Sequence, residues 1–328
     1  MADIVGNVLI PDVWVPYMIE ATKEKSALFR SGIISTDPRI DRALNGGGDT
    51  INMPFFNDLD GADEIRGKDS VLSVDEITTD KDVARLHGRG KAWGVDDLEA
   101  ELSGANPMEA IGDRVADYWA RRMQDVLIAS LTGVFADNIN NDGADLVNDV
   151  ADEDVDTNGA VELDGGVILD SKQKLGDAKN DLTAITMHSQ THTNLQKKQL
   201  VEYYPESDID IGFGTFLGMT IIVDDGVPVE AGSTSGQKYT SYMFGRGAVG
   251  YGEGNVKNPI EDARDALADQ DVLINRRNYI MHPRGIKWTN EGTIADLFPT
   301  NDELEDPTHW DRVYPQKNIR MVKIVTNG

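Results

Sequence analysis

Cysteine is absent from the 328-residue sequence. This absence excludes a disulfide framework, a thiolate nucleophile and a thiolate zinc site. The sequence also lacks any run near the roughly 18 uncharged apolar residues that a membrane-spanning helix requires. Its start, MADIVGNVLIPDVW, has neither a basic leader nor a signal-type apolar core. We therefore expect a soluble protein without a membrane span or a secretory signal.

Positive charge is scarce in this chain. Lys and Arg number 31 against 57 Asp and Glu, which gives a net charge of −26 at pH 7. Because such a surface repels phosphate, sequence-specific nucleic-acid binding is not expected. The charge suits a very soluble or salt-adapted protein, and it also suits a surface that must not adhere to packed nucleic acid. Any self-association must then depend on local complementarity and buried apolar contacts.

The clearest helical pattern is NPMEAIGDRVADYWARRMQDVLIASLTGVF, residues 106–135. Asn106 is a suitable N-cap, Pro107 suits the first helical position, and Glu109 completes a capping box. Apolar residues then recur every three or four positions, which is the period of one helix face: Ile111, Val115, Tyr118, Trp119, Met123, Val126, Leu127, Leu131, Val134 and Phe135. The pattern predicts a spine helix over 107–135, roughly 43 Å long.

Residues 1–45 are predicted to form an N-terminal arm. Trp14, Tyr17 and Phe29 lie in this segment and are too apolar to remain in water. The arm is therefore expected to lie either on its own domain or on a neighbouring subunit.

Residues 46–82 are predicted to form an extended β-hairpin. A strand follows the glycine run at 46–48, the polar stretch DGADEIRGKDSV follows it, and a second extended run begins near Val74 and reaches Trp93. The polar tip has too few apolar side chains for a core of its own. The hairpin would therefore be stable only against another surface.

Four basic residues alternate along the returning strand, namely Arg85, His87, Arg89 and Lys91. Alternate residues of a strand share one face, so the spacing predicts a basic ribbon on an acidic protein. Pairing with carboxylates of this or an adjacent subunit is the favoured interpretation, and nucleic-acid contact is the alternative.

Residues 136–166 are rich in Asp, Asn and Gly, which is typical of a loop or domain junction. Part of this stretch resembles a calcium-binding loop, with Asp154, Asp156 and Asn158 at alternate positions and Glu162 within reach through water. The twelfth position is Gly165 instead of the bidentate Glu. A calcium site and a solvated acidic loop both remain open, and no other cofactor is indicated.

The rest of the chain alternates helical and extended patterns and then becomes strand-rich. Residues 167–265 are predicted to form a compact α/β module, and residues 266–328 to return as strands to the region at 83–166. The first domain would then be discontinuous in sequence.

Two phrases in this half are distinctive: SYMFGRGAVGYGEG, a strand that enters a glycine turn, and RRNYIMHPRGIKW, a strand followed by a turn. With the order of parts along nearly the whole chain, they resemble the major capsid proteins of tailed phages with the Hong Kong 97 fold. The resemblance implies an α+β fold with an N-terminal arm (1–45), an extended β-hairpin loop (46–82), a peripheral domain with the spine helix (83–166), an axial domain (167–265) and peripheral return strands (266–328).

By the same resemblance, the protein is not an enzyme. It is expected to self-assemble as hexamers and pentamers in the host cytoplasm into the icosahedral head shell of a virion that encloses double-stranded DNA. Scaffolding, portal and decoration proteins are further partners that the resemblance allows, and no membrane partner is implied. The expected assembly contacts are Trp14, Tyr17, Phe29, Lys68, Arg85, His87, Arg89 and Lys91.

Lys68 lies near the expected loop tip, where some shells of this fold form a covalent link to an asparagine of a neighbour; an ordinary noncovalent contact is the alternative. Two other functions remain open. An encapsulin-like nanocompartment shell would enclose protein cargo, and a calcium-binding enzyme would use the acidic loop around Asp154.

Overall fold

The computed structural model describes residues 31–38, 47–59, 76–96, 107–201, 214–265, 269–290 and 292–328, with the single positions 29, 40, 44, 63, 65 and 74. The helices are α1 (Pro107–Asn141), α2 (Val155–Asn158), α3 (Gly165–Gln173), α4 (Ser189–Lys197) and α5 (Asn301–Glu305). Short 3-10 segments lie at Gly176–Asp181, Pro307–His309 and Gln316–Asn318. None of the helices in these ranges is long and apolar enough to cross a membrane.

The first eight strands are β1 (Ile34–Thr36), β2 (Thr50–Phe56), β3 (Thr79–Arg85), β4 (His87–Asp96), β5 (Val147–Asp149), β6 (Leu182–Met187), β7 (Thr215–Phe216) and β8 (Met219–Val223). The later strands are β9 (Val229–Ala231), β10 (Gln237–Gly245), β11 (Val249–Gly254), β12 (Ile260–Asp265), β13 (Gln270–Pro283), β14 (Ile286–Trp288), β15 (Trp310–Arg312) and β16 (Met321–Thr326). The described part of the chain is therefore of the α+β class.

Helix α1 has 35 residues and is about 52 Å long. It ends at Asn141, six residues beyond the predicted end at Phe135. The apolar stripe stops at Phe135, so hydrophobic spacing gives no signal for the last turns. Those turns are stabilised by polar contacts instead, among them a hydrogen bond of 2.6 Å from Asn141 Nδ2 to Asp137 Oδ1.

The first half of α1 packs on a five-stranded sheet of order β1–β11–β13–β12, in which β4 also pairs with β13. β1 is parallel to β11, and the other pairs are antiparallel. The buried residues at this contact are Val115, Ala116, Trp119, Ile260 and Leu273. Trp119 Nε1 also donates a hydrogen bond of 2.6 Å to Asn275 Oδ1, which satisfies a buried polar atom at the interface.

The second half of α1 packs near a seven-stranded sheet of order β5–β16–β10–β6–β8–β7, with β9 paired to β10. The pairs β5–β16 and β6–β8 are parallel, and the others are antiparallel. Phe135 of the helix stacks on Tyr242 of β10 with ring centroids 5.5 Å apart. The same buried cluster includes Tyr251 and Tyr279 of the first sheet, so one continuous core joins both sheets.

Strand pairing does not follow the predicted segments. β11 and β12 lie within the segment 167–265 but pair in the five-stranded sheet, whereas β16 lies within 266–328 but pairs in the seven-stranded sheet. The chain changes sheets at the tight turn between β10 and β11. Gly247 has a φ of +65° there, and a Cβ on Gly245 would lie 2.7 Å from the carbonyl oxygen of Asp181. Local patterns predict element type but not strand partners, so the segment boundaries stay a prediction.

The segment after β13 packs on α1. β14 and β15 form a two-stranded ribbon, and α5 begins with a capping box between Thr300 and Glu303. Trp310 Nε1 donates to the carbonyl oxygen of Leu304 at 2.8 Å. This turn lies so close to α1 that a Cβ on Gly133 would be 2.1 Å from the same oxygen.

Candidate assembly surfaces

The β2–β3 hairpin presents apolar side chains that its own subunit does not cover. The two strands pair from Thr50 opposite Arg85 to Phe56 opposite Thr79. At the far end of this ribbon, large apolar residues are mostly exposed: Phe56 (70%), Leu59 (77%), Ile65 (91%), Val74 (89%) and Ile77 (53%). Because exposed apolar surface of this extent marks an interaction site, the hairpin is a candidate contact with another molecule.

The opposite end of the hairpin is fixed in the subunit. The buried Asp82 of β3 has Oδ1 2.8 Å from His282 Nε2, and its Oδ2 accepts a hydrogen bond of 3.0 Å from the Gly285 amide. Burial by itself would raise the pKa of Asp82, but His282 and backbone donors together hold this pKa below its usual value. Apolar packing beside the pair is supplied by Ile40, Ile51, Ala84 and Ile280. The root of the hairpin is therefore rigid.

Two predicted assembly arginines are used within the subunit. Arg85 Nη1 forms an ion pair of 2.6 Å with Asp49, and its Nη2 donates to the carbonyl oxygen of Leu297 at 2.8 Å. Arg89 Nη2 donates to the carbonyl oxygen of Pro299 at 2.9 Å. Arg85 thus pairs with a carboxylate of its own subunit, which is one of the two predicted arrangements, and residues 297–299 contact both arginines.

His87 lies in the same region and is 2% exposed. Burial, reinforced by the nearby Arg89 cation, lowers its pKa to about 3, so His87 is neutral at pH 7. The predicted single strand is interrupted at Leu86. On one side of this residue β3 pairs with β2, and on the other side β4 pairs with β13. Arg85 and His87 are buried and offer no surface to a neighbour, which corrects their prediction as assembly contacts. The assembly contact expected for Arg89 and for the exposed Lys91 stays a prediction.

The face of the five-stranded sheet opposite α1 contains an apolar groove of about 410 Å³. Leu273 packs toward α1, so the next residue, Ile274, points to the other face. Gly90 and Ala92 of β4 lie in the groove wall beside it. Phe298 closes one end so tightly that a Cβ on Gly88 would lie 2.3 Å from its ring, so glycine is required there. Within the described residues, no side chain fills this groove.

The described part of the arm packs on its own subunit. Phe29 is half-buried and makes an edge-to-face contact with Tyr251, with ring centroids 4.9 Å apart. At Phe29 this contact favours the interpretation that the arm lies on its own domain. The other predicted contacts, Trp14, Tyr17 and Lys68, lie outside the described residues.

The acidic loop does not bring the predicted calcium ligands together. Asp154 accepts a hydrogen bond from Ser235, Asn158 donates one to Asp152, and Glu162 forms an ion pair of 2.9 Å with Lys198. The backbone amide of Asp156 is bonded to Ser235 Oγ. Residues 155–158 form one turn of helix α2, so successive side chains diverge instead of surrounding one point. In the described ranges, no group of three or more His, Asp or Glu side chains could hold a metal ion.

Comparisons with known proteins give one consistent result. The chain matches the family described as Gp13-like, major capsid protein 13-like, over residues 42–319. It is 42% identical over 323 residues to the major capsid protein of Bacillus phage SPP1, and the alignment covers 97% of this chain and 96% of that protein.

Solved structures agree on the fold. The capsid of Ralstonia phage GP4 has a TM-score of 0.62 at 12% identity, covering 93% of this chain and 92% of that one. The capsid asymmetric unit of Cyanophage Pam1 has a TM-score of 0.58 at 12% identity, covering 92% of each chain. At this identity the structures bear on the fold alone, and they confirm the predicted Hong Kong 97-like architecture. The family match over most of the sequence, with the 42% identical relative, shows that the chain belongs to the Gp13-like family of phage major capsid proteins.

Proposed function

We propose that copies of this major capsid protein join as hexamers and pentamers into an icosahedral head shell, and that the β2–β3 hairpin of each copy overlaps a neighbour. The shell would enclose double-stranded DNA and would assemble in the host cytoplasm. Membership of a structural capsid family sets aside the calcium-binding enzyme and the nanocompartment shell.

The observation that carries this proposal is the contrast between the two ends of the hairpin. Its root is held by the buried Asp82–His282 pair, whereas Phe56 and Leu59 near the tip are 70% and 77% exposed. Fully burying a large apolar side chain stabilises a contact by about 1.5–3 kcal/mol. Burial of these two and one more against a neighbour would therefore contribute on the order of 5 kcal/mol per contact.

The groove on the face of the five-stranded sheet opposite α1 supports the same proposal, because it could accept the hairpin of a neighbouring copy. It is concave, its walls are small and apolar at Gly90 and Ala92, and it is open to solvent within the described residues. A projecting apolar side chain of a second copy has the size and polarity to enter it.

The two sheets suggest how the shell is organised. We assign the five-stranded sheet with the first half of α1 to the peripheral domain, and the seven-stranded sheet to the axial domain. Because α1 contacts both, it would hold their relative orientation fixed across its length of about 52 Å.

Further partners are proposed by analogy with the fold family. Scaffolding, portal and decoration proteins are candidates, and packaged DNA would lie close to the shell without specific binding. The net charge of −26 supports the last point, because a subunit with that overall charge repels phosphate.

The test is the double substitution Phe56→Asp and Leu59→Asp, compared with Phe56→Leu and Leu59→Met. Both side chains are exposed in the subunit, so we expect both variants to fold and to melt at the wild-type temperature. The aspartate variant should remain unassembled, because docking would bury two unpaired carboxylates. The conservative variant should form the particles or capsomer rings that the wild-type protein forms.

Negative-stain electron microscopy and light scattering after size-exclusion chromatography would be the readout. Aspartate-variant particles at wild-type protein concentration would contradict a role of the hairpin in overlapping neighbours. A wild-type protein that stays monomeric under every condition would contradict self-assembly itself.

A further inference from the structure

A polar pocket of about 360 Å³ lies where the seven-stranded sheet meets the turn after β13. Its charged lining residues are Asp181, Arg284, Lys317 and Arg320. Three of these side chains are cationic and one is acidic. Cations thus outnumber carboxylates in the lining itself, the reverse of the balance of 31 basic and 57 acidic residues in the whole chain, and Asp37 and Asp177 outside the lining pair with two of them.

Partners within the subunit orient these cations but hold two of them weakly. Arg320 Nε is 3.8 Å from Asp181 Oδ2, a distance too long for a hydrogen bond, and about half of each side chain is exposed. Lys317 pairs with Asp177 at 2.9 Å, but their side chains are 62% and 79% exposed. Exposed pairs of this kind contribute little to stability. Both cations are thus available to a stronger anionic partner.

The third cation is held more firmly. Arg284 Nη2 lies 3.3 Å from Asp37 and donates to Ser35 Oγ at 3.1 Å. Its guanidinium therefore has a fixed position in the pocket wall. Arg246 is adjacent and exposed, and its carbonyl oxygen accepts a hydrogen bond from Arg320.

We infer that this pocket, formed around Arg284, Lys317 and Arg320, binds carboxylate side chains of a neighbouring copy of the same chain. The inference rests on the proposed self-assembly. Subunits that each carry 26 excess negative charges repel one another, so their contacts need local sites of opposite charge. Carboxylates are the groups that every neighbouring copy supplies in excess, and a guanidinium group binds them with directional hydrogen bonds.

The size of the pocket suits the end of one acidic side chain. Its volume is about 360 Å³, and its wall carries the Arg284, Lys317 and Arg320 cations. A single acidic side chain on a projecting segment can enter such a pocket. The hairpin segment 57–78 is one source, since it contains seven acidic residues and two basic ones.

Zero-length cross-linking tests the contact directly. Particles would be co-assembled from unlabelled and nitrogen-15-labelled subunits and treated with a water-soluble carbodiimide, which couples a lysine amine to a carboxylate with loss of water. We expect cross-linked peptides that contain Lys317 and an acidic segment of mixed isotopic origin. Internal coupling to Asp177 remains unmixed, so unmixed products alone would overturn the inference.

Substitution gives a second, independent readout. The variant Lys317→Gln with Arg320→Gln should raise the protein concentration at half-maximal assembly about tenfold at low salt. High salt should reduce the difference, because screening weakens the wild-type contact. The charge-conserving variant Lys317→Arg with Arg320→Lys, and Lys197→Gln on α4, should assemble as the wild type does.

The outcomes separate this inference from the proposed function. If the wild-type protein forms particles and the glutamine variant assembles at the same protein concentration, self-assembly would stand. The inference that the pocket binds carboxylates of a neighbour would then be overturned. Particles of the glutamine variant that form normally but contain less nucleic acid would show that the pocket binds phosphate instead. Absence of wild-type particles would remove the proposed function, and the inference with it.

Discussion

Acidification should destabilise the subunit through His87. This residue is 2% exposed, and its pKa is lowered from 6.5 to about 3. In the unfolded chain the same imidazole takes up a proton near pH 6.5. Between these two pH values the unfolded state therefore binds one more proton at this position than the folded state. The free energy of unfolding then falls by about 1.4 kcal/mol for each pH unit below 6.5, or by about 2 kcal/mol at pH 5.

The matched variant is His87→Gln, which keeps a neutral polar side chain but cannot take up the proton. Any loss of packing against Tyr279, whose ring centroid is 5.6 Å from that of His87, lowers stability equally at every pH. Such a loss shifts the curve of stability against pH without changing its slope. The slope between about pH 6.5 and pH 5 should be smaller in the variant by about 1.4 kcal/mol per unit.

Urea unfolding of unassembled subunits, followed by tryptophan fluorescence, measures both curves. The hairpin variant with aspartate at positions 56 and 59 provides a background in which assembly does not interfere. Other titrating histidines are present in both proteins, so their contributions cancel in the difference. Parallel curves would show that His87 takes up its proton in the folded state, and the assignment of a buried neutral imidazole would be refuted.

Three further predictions concern packing and the acidic loop. Gly133→Ala should destabilise the subunit by about 1–3 kcal/mol in urea unfolding, because its Cβ would meet the Leu304 carbonyl oxygen at 2.1 Å. Gly94→Ala, whose Cβ has no neighbour closer than 3.9 Å, is the tolerated control. Trp119→Phe should lose about 2 kcal/mol in the same assay, since Asn275 Oδ1 loses its buried donor; wild-type stability would contradict the importance of that bond. Calcium should leave the melting temperature unchanged, and a rise with calcium concentration would restore the metal site in the loop.

Elements with a strong local pattern could be predicted from the sequence. The start of α1 at Pro107 has clear spacing and boundary residues. Strand partners could not be predicted, because β10 and β11 are adjacent in sequence but belong to different sheets. That choice depends on contacts such as the one between Gly245 and Asp181, which lie far apart in the sequence.

The assembly surfaces were less predictable for a related reason. Basic residues recur at alternate positions along the returning strand, but this alternation cannot show that residues 297–299 cover Arg85. The buried pair of Asp82 and His282 joins residues 200 positions apart, and no local pattern marks it. The exposure of Phe56 could not be predicted either, because an apolar residue in a strand is expected to be buried until the fold shows otherwise.

If the hairpin tip docks on a neighbouring copy as proposed, the fixed root of the hairpin helps such an acidic subunit to associate. Binding requires the loss of conformational freedom in whatever segment docks, and preorganisation lowers that loss. The Asp82–His282 contact at 2.8 Å and the apolar packing around Ile280 fix the direction in which the hairpin projects. The apolar side chains at its tip are thus presented in a defined position before any neighbour arrives. More of their burial free energy then remains to oppose the electrostatic repulsion between copies.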